Sequence, residues 1–291
     1  MTQPIQLAII GGSGFYEMPG LSAIEEVTVS TPFGAPSDMF RIGTLDGVRV
    51  AFLSRHGRGH TLLPSELPQR ANIWALKQLG VERILAVSAV GSLRQDYRPG
   101  HIVTPHQLID RTTGMRPNTF FGNGVVAHIS FAEPFCSTLR IAARQAAEEV
   151  DAHVHRDGVY VVMEGPAFST RAESDLHREW RADLIGMTAL PEAKLAREAE
   201  ICYAMLAAVT DYDTWHDGHE TVDAQMVFET LRQNVAVSQS VVRKLLATLP
   251  ARSDCACSTA LDAALVTSPG IIGPESRERL GPILARRLGG A

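Results

Sequence analysis

One recurring unit constrains this chain more than anything else in it. A short run of β-branched and aliphatic residues stops abruptly at glycine, hydroxyl or charge. Ile5–Ile10 stops at Gly11-Gly12, Val48–Leu53 at Ser54-Arg55-His56, Arg83–Val90 at Gly91, Gly158–Met163 at Glu164-Gly165, and Met205–Thr210 at Asp211. Runs this short read as strands covered on both faces rather than as helices. Segments at helical spacing lie between them. Asn72–Leu79 stops at Gly80. A segment opened by Pro134, a first-turn residue, repeats Leu139, Ala142, Ala146 and Val150. Arg171–Trp180 and Pro191–Glu200 follow, with a short strand, Asp183–Met187, between them. A long amphipathic stretch then aligns Val227, Leu231, Val235, Ser238, Val242, Leu245 and Leu249.

Strands alternating with helices predict an α/β fold. Asp46-Gly47, set between Asp38–Gly43 and Val48–Leu53, predicts a tight hairpin, so the sheet is mixed. No repeat, linker or low-complexity tract divides the 291 residues, which predicts a single domain over 1–291 with two weak helices in the tail from about residue 250. A net charge of −5 argues against nucleic acid or an anionic membrane as partner. No apolar stretch approaches the roughly 18 residues of a membrane span. The opening MTQPIQLAII lacks the basic leader of a signal peptide. Four cysteines are too few for a disulfide scaffold. A cytoplasmic, reducing location is expected.

In such sheets the chemistry sits in loops beyond the strand ends. Gly11-Gly12-Ser13-Gly14 lets backbone N–H groups approach an anion. It is also compatible with a bare tight turn. As a dinucleotide fingerprint it fails, because Glu17 stands where the third small residue belongs and Met18-Pro19-Gly20 interrupts the helix; it also lacks the Gly-Lys-Ser/Thr of a P-loop. Arg55-His56-Gly57-Arg58-Gly59-His60 offers guanidinium forks suited to phosphate oxygens. A solvated loop remains the alternative, and metal binding by His56 and His60 has no third ligand nearby. Ser88-Ala89-Val90-Gly91 places a hydroxyl and small residues at another strand end. Glu164 is placed to accept from sugar hydroxyls and Phe168 to stack on a flat ring. Thr170 reads as a helix N-cap. Thr188 adds a hydroxyl beside the flexible Met187. Asp211 and Asp213, two residues apart at the end of an apolar strand, would point the same way. Paired carboxylates there resist ionisation, so one of them can serve as a general acid. A loop cap and a divalent-cation pair are the alternatives.

Taken in order, IIGGSG, PFGAPSD, RHGRGH, AVGSL, PGHIV, IDRTT, MEGPAFSTRAES, IGMT, PEAKLARE and TDYDTW resemble the purine nucleoside phosphorylase superfamily of the trimeric type, in its methylthioadenosine-cleaving branch. The resemblance runs from Gly11 to about Leu249. It implies a mixed sheet forming a distorted barrel flanked by helices, a homotrimer, and no cofactor or metal beyond inorganic phosphate as co-substrate. It implies reversible phosphorolysis of 5′-methylthioadenosine to adenine and 5-methylthioribose 1-phosphate, with inversion at C1′. A broader action on adenosine, inosine or methylthioinosine stays open. By resemblance, Ser13, Arg55, His56, Ser88, Ala89 and Thr188 would hold phosphate. Met187 would lie against the ribose, Phe168 and Ser169 against the purine. Asp211 would face N7 as general acid and Asp213 the 6-amino group. Ala224, Val227 and Phe228 would line an apolar 5′ pocket, which His128 would enter from a neighbouring subunit. Cys255-Ala256-Cys257 lies outside this pattern. An internal disulfide there is strained, and a zinc site lacks two further ligands in the surrounding sequence, so free thiols are expected.

Overall fold

The computed structural model describes residues 3–12, 17–216, 224–251 and 255–289. Among these, eleven strands form one mixed sheet with helices on its faces. The expected α/β architecture is therefore present. β1 (Leu7–Gly11) runs parallel to β4 (Val48–Ser54), which pairs antiparallel with β3 (Phe40–Leu45) across the Asp46-Gly47 turn. Both turn residues have positive φ, +49° and +83°, as the tight hairpin reading requires.

The sheet forks at β5 (Arg83–Ser92). One edge carries β11 (Cys202–Asp211), parallel along almost its whole length. The other edge is shared. β1 pairs with Ile84–Ala86, and β10 (Leu184–Gly186) pairs antiparallel with Gly91 and Ser92. β10 then leads through β9 (Val159–Met163) to β7 (Gln107–Arg111).

Two apolar layers explain why the strands read as unbroken hydrophobic runs. Alternate residues of β1 serve opposite faces: Ala8 and Ile10 join one core, Leu7 and Ile9 the other. The first core is closed by α1 (Gln69–Gln78), α4 (Ala189–Glu198) and α6 (Pro274–Leu288). The second is closed by α2 (Ser137–Glu148) and α5 (Ala224–Ala247). α3 (Arg171–Glu179) starts at the expected N-cap: Thr170 Oγ1 accepts from the Glu173 amide while Glu173 returns to the Thr170 amide.

Some expectations fail. Pro134 does not open α2; the helix begins at Ser137 after Cys136, whose amide is tied to the Tyr203 carbonyl of β11. The tail holds one full helix and short 3-10 turns rather than two helices. β2 (Ser22–Val27), β6 (Ile102–Val103), β7 and β8 (Val154–His155) carry no apolar run, because they lie at sheet edges or span two residues. Cys255 and Cys257 do have two further potential ligands: folding brings Cys136 and Cys202 beside them from distant segments.

Candidate active site

The fork in the sheet makes the site. Beyond Ala86, β5 has lost β1, and it does not meet β10 until Gly91. Residues 87–90 therefore present one backbone edge to a gap. A cavity of about 440 Å³ fills it, reached by Gly12 just after β1, Arg55 and His56 just after β4, Ile185–Thr188 at the end of β10, Asp211 at the end of β11 and Asp213 in the turn that follows. Arg55, His56, Ser88, Ala89, Phe168, Met187, Thr188, Asp211 and Asp213 all line this one cavity. Ser169 is buried behind it, 3.8 Å from the Met163 sulfur. His128 is exposed and stands outside the cavity of its own chain. Ser13 and the side chains of Ala224, Val227 and Phe228 lie outside the described residues, although the latter three fall on the first turns of α5.

At one end the Ser88 and Thr188 hydroxyls meet across the gap at 3.1 Å. His56 Nδ1 sits 2.8 Å from the Leu62 carbonyl, which can only accept, so Nδ1 carries the hydrogen. Burial depresses the imidazole pKa to about 4, so the ring is neutral near pH 7 and its Nε2 is an acceptor. His60 stacks on it, ring centroids 4.3 Å apart.

Arg55 departs from the expected free fork. Its Nε and Nη2 donate to the two carboxylate oxygens of Glu192 at 2.8 and 3.0 Å, and its Nη groups also donate to the Val87 and Ile10 carbonyls. These four bonds, set against the five N–H groups of a guanidinium, leave one donor for a ligand. Tyr203 donates to the same Glu192.

The acids form the other end. Asp211 is the last residue of β11, and its two oxygens accept from Thr210 Oγ1 at 2.8 Å and the Asp213 amide at 2.9 Å. Asp213 is not on the strand, as spacing alone had it. It sits in the following turn with φ +38°, so turn geometry rather than strand alternation brings the acids together. Burial raises the pKa of Asp211, against the pull of those two donors and with the help of the neighbouring acid. Burial also raises Asp213, tempered by the Ser174 and Ser169 hydroxyls. Among the described residues no hydrogen-bond partner meets Asp213 Oδ2, although that atom is buried.

Several supports carry no sequence signal of their own. A Cβ at Gly91 would come within 2.9 Å of Asp211 Oδ1, and one at Gly186 within 2.1 Å of the Tyr160 hydroxyl, so each glycine makes room for a side chain. Arg116 is buried and donates to the Met187, Leu190 and Glu164 carbonyls, which pins the loops on both sides of the cavity. Glu164 does not face the cavity. Its carboxylate takes Thr113 and Arg116, and its role is to hold that loop. Partial burial would raise its pKa, but these donors hold it below the usual value.

Residues 6–247 match the family model described as the phosphorylase superfamily. The chain belongs to the phosphorylase superfamily. Within it, the chain is 54 % identical to S-methyl-5′-thioadenosine phosphorylase of Geobacter sulfurreducens, over 96 % of this chain and 97 % of that one. A crystal structure of methylthioadenosine phosphorylase from an antarctic soil metagenomic library superposes with a TM-score of 0.91 at 46 % identity, covering 97 % of this chain and all of that one, 100 %. The Schistosoma mansoni methylthioadenosine phosphorylase in complex with adenine gives a TM-score of 0.86 at 37 % identity, covering 90 % and 99 %. The sequence resemblance and the fold thus agree, and the forked sheet is that of a phosphorylase superfamily member.

Proposed function

We propose that this protein is a pentosyltransferase that cleaves 5′-methylthioadenosine with inorganic phosphate, giving adenine and 5-methylthioribose 1-phosphate with inversion at C1′. The observation that carries this reading is the placement of anion-binding groups and two buried acids at opposite ends of one cavity. The relatives' activity, and the adenine bound by the Schistosoma mansoni enzyme, support the same choice.

Phosphate sits between Ser88, Thr188, the Ala89 backbone and the remaining Arg55 donor, with Ser13 completing the cradle. His56 holds it by accepting a hydrogen that the phosphate itself carries. Phosphate approaches C1′ from the face opposite the base, and the C1′–N9 bond breaks as positive charge grows on the sugar. Asp211 in its acid form gives its hydrogen to N7 and so neutralises the departing purine. Asp213 Oδ2 accepts from the 6-amino group, which a 6-oxo purine does not offer. Phe168 covers the base and Met187 the ribose. Ala224, Val227 and Phe228 give the 5′ substituent an apolar wall.

No cofactor or metal takes part in this scheme. We place the enzyme in the cytoplasm as a homotrimer in which His128 reaches a neighbour's 5′ pocket. Exposed Met115, Val126 and Val266 support an assembly that covers apolar surface. Among the described residues no helix is long and apolar enough to cross a membrane. Steady-state rates on methylthioadenosine, adenosine and inosine, with and without phosphate, test the proposal. Phosphate-dependent release of adenine, fastest from methylthioadenosine, is expected; faster cleavage of inosine overturns the substrate assignment.

A further inference from the structure

All four cysteines of the chain come to one point, far from the cavity. Cys136 stands just before α2, Cys202 opens β11, and Cys255 and Cys257 flank a single alanine in the tail. Their sulfur atoms all lie within 4.8 Å of one another, with Cys202 and Cys255 at 3.3 Å. None is bridged to another. Three are buried and Cys255 is partly exposed, which leaves an ion an entry side.

We propose that these four thiolates bind one zinc ion as a closed, tetrahedral structural site. Four ligands at a zinc–sulfur distance of about 2.3 Å place the sulfurs roughly 3.8 Å apart. The observed cluster needs only small side-chain adjustments to reach that arrangement. Four-thiolate ligation also selects zinc over hard, oxygen-seeking cations such as magnesium. Spacing argues the same way. A disulfide between Cys255 and Cys257 would be strained with one residue between them, whereas neighbouring thiolates can both turn to one ion. Binding releases the thiol protons to solvent and leaves every sulfur unoxidised, so no oxidant is required.

The consequence is mechanical. Residue 255 follows the long helix α5 and precedes the tail that ends in α6. α6 is the element that closes the first core against α1, where Trp74 Nε1 donates to the Arg279 carbonyl. The zinc clasp fastens the start of this tail to the first residue of β11. The last residue of that same strand is Asp211, the proposed acid. Nine residue steps at about 3.3 Å each separate the two, so the clasp stabilises the fold and takes no part in the chemistry.

The test uses the full-length, tag-free enzyme purified with reductant and without chelator. Plasma-mass-spectrometric metal analysis is expected to give one zinc per chain, released on titration with an organomercurial. Cobalt substitution is expected to produce intense tetrahedral d–d bands and a thiolate charge-transfer band. Cys255→Ser, at the most exposed ligand, is expected to lose most of the zinc and lower Tm while keeping kcat at 25 °C near wild type. Cys202→Ser provides a second loss-of-zinc variant from a different segment. Four reactive thiols with no zinc bound after incubation with Zn²⁺ would overturn the site. So would an intact mass lower by 2 or 4 Da, which reports disulfides, or zinc retained at full stoichiometry by both variants.

Discussion

Both carboxylate oxygens of Glu192 accept from one side of the Arg55 guanidinium, Nε and Nη2, although 137 residues separate the two in the chain, and both side chains are buried. Burial works against the Arg55 charge, and the Glu192 carboxylate beside it more than restores it, raising the guanidinium above its ordinary value. The arginine expected to meet phosphate with a free fork is instead a braced wall of the site. It ties β4 to α4 and, through Val87 and Ile10, to the strands on either side of the gap.

Removing one partner of a buried pair leaves the other charged and unpaired, which typically costs about 3–5 kcal/mol. Glu192→Gln is therefore expected to lower stability by that order and to raise the phosphate KM, because Arg55 loses its brace. Urea unfolding and phosphate saturation curves measure both. The double replacement Arg55→Met with Glu192→Leu should recover much of the stability and none of the phosphate affinity. A single Glu192→Gln variant as stable as wild type would show that the pair is not load-sharing.

Asp211→Asn keeps the shape of the side chain and removes the titrating proton. A loss of about 10²–10⁴ in kcat is expected, the usual worth of general acid help, with the phosphate KM changed little. The pH profile adds a second readout. Wild-type kcat should fall as pH rises through the elevated Asp211 pKa, since only the acid form donates. The asparagine variant should show no such limb.

Asp213→Asn exchanges an acceptor for a group that also donates. Relative kcat/KM should move from adenosine towards inosine by a factor of about 10–100, the range for one hydrogen bond gained or lost in a buried site. Competition between the two nucleosides in one reaction reads this directly.

His56 tests the phosphate end. If its Nε2 accepts a hydrogen from the bound oxyanion, sulfate, which carries none at neutral pH, should inhibit poorly against phosphate. His56→Gln supplies an amide donor, so it should weaken phosphate binding and narrow the gap between the two anions. Equal sulfate inhibition of wild type and variant would remove His56 from the phosphate contacts.

Stability should also respond to Glu198, which is buried and accepts from Thr119 Oγ1 and the Phe120 amide, both at 2.7 Å. Burial outweighs those donors and pushes its pKa up to about 7. The folded state therefore holds this proton where the unfolded chain has lost it. Stability is highest below the ordinary carboxylate pKa and falls as pH rises to about 7, then levels off. The shift corresponds to about 3 kcal/mol across that window. Glu198→Gln should flatten the curve in thermal melts between pH 5 and 8.

Much of the fold was legible because its cause is local. β1, β4, β5, β9 and β11 are buried on both faces, and such strands write themselves into sequence as apolar runs. Edge strands such as β2 bury almost nothing and leave no such mark. The Thr170 cap and the Asp46-Gly47 turn were readable for the same reason, since each is decided within four residues. Glu164 was misread because a carboxylate's partner is chosen in space: Arg116 lies 48 residues away and reaches it first.

From its amino acids alone, this chain determined its alternation of strands and helices, its family resemblance and the loops where chemistry gathers, because backbone preference and burial act over a few neighbouring residues. Only the tertiary structure decided how those loops are used. The fork at β5 opens the gap, Glu192 claims most of Arg55, a left-handed turn aims Asp213 at Asp211, and four scattered cysteines meet. Each of these depends on contacts between segments tens of residues apart, and pairing at that range is set by how the whole sheet closes and packs.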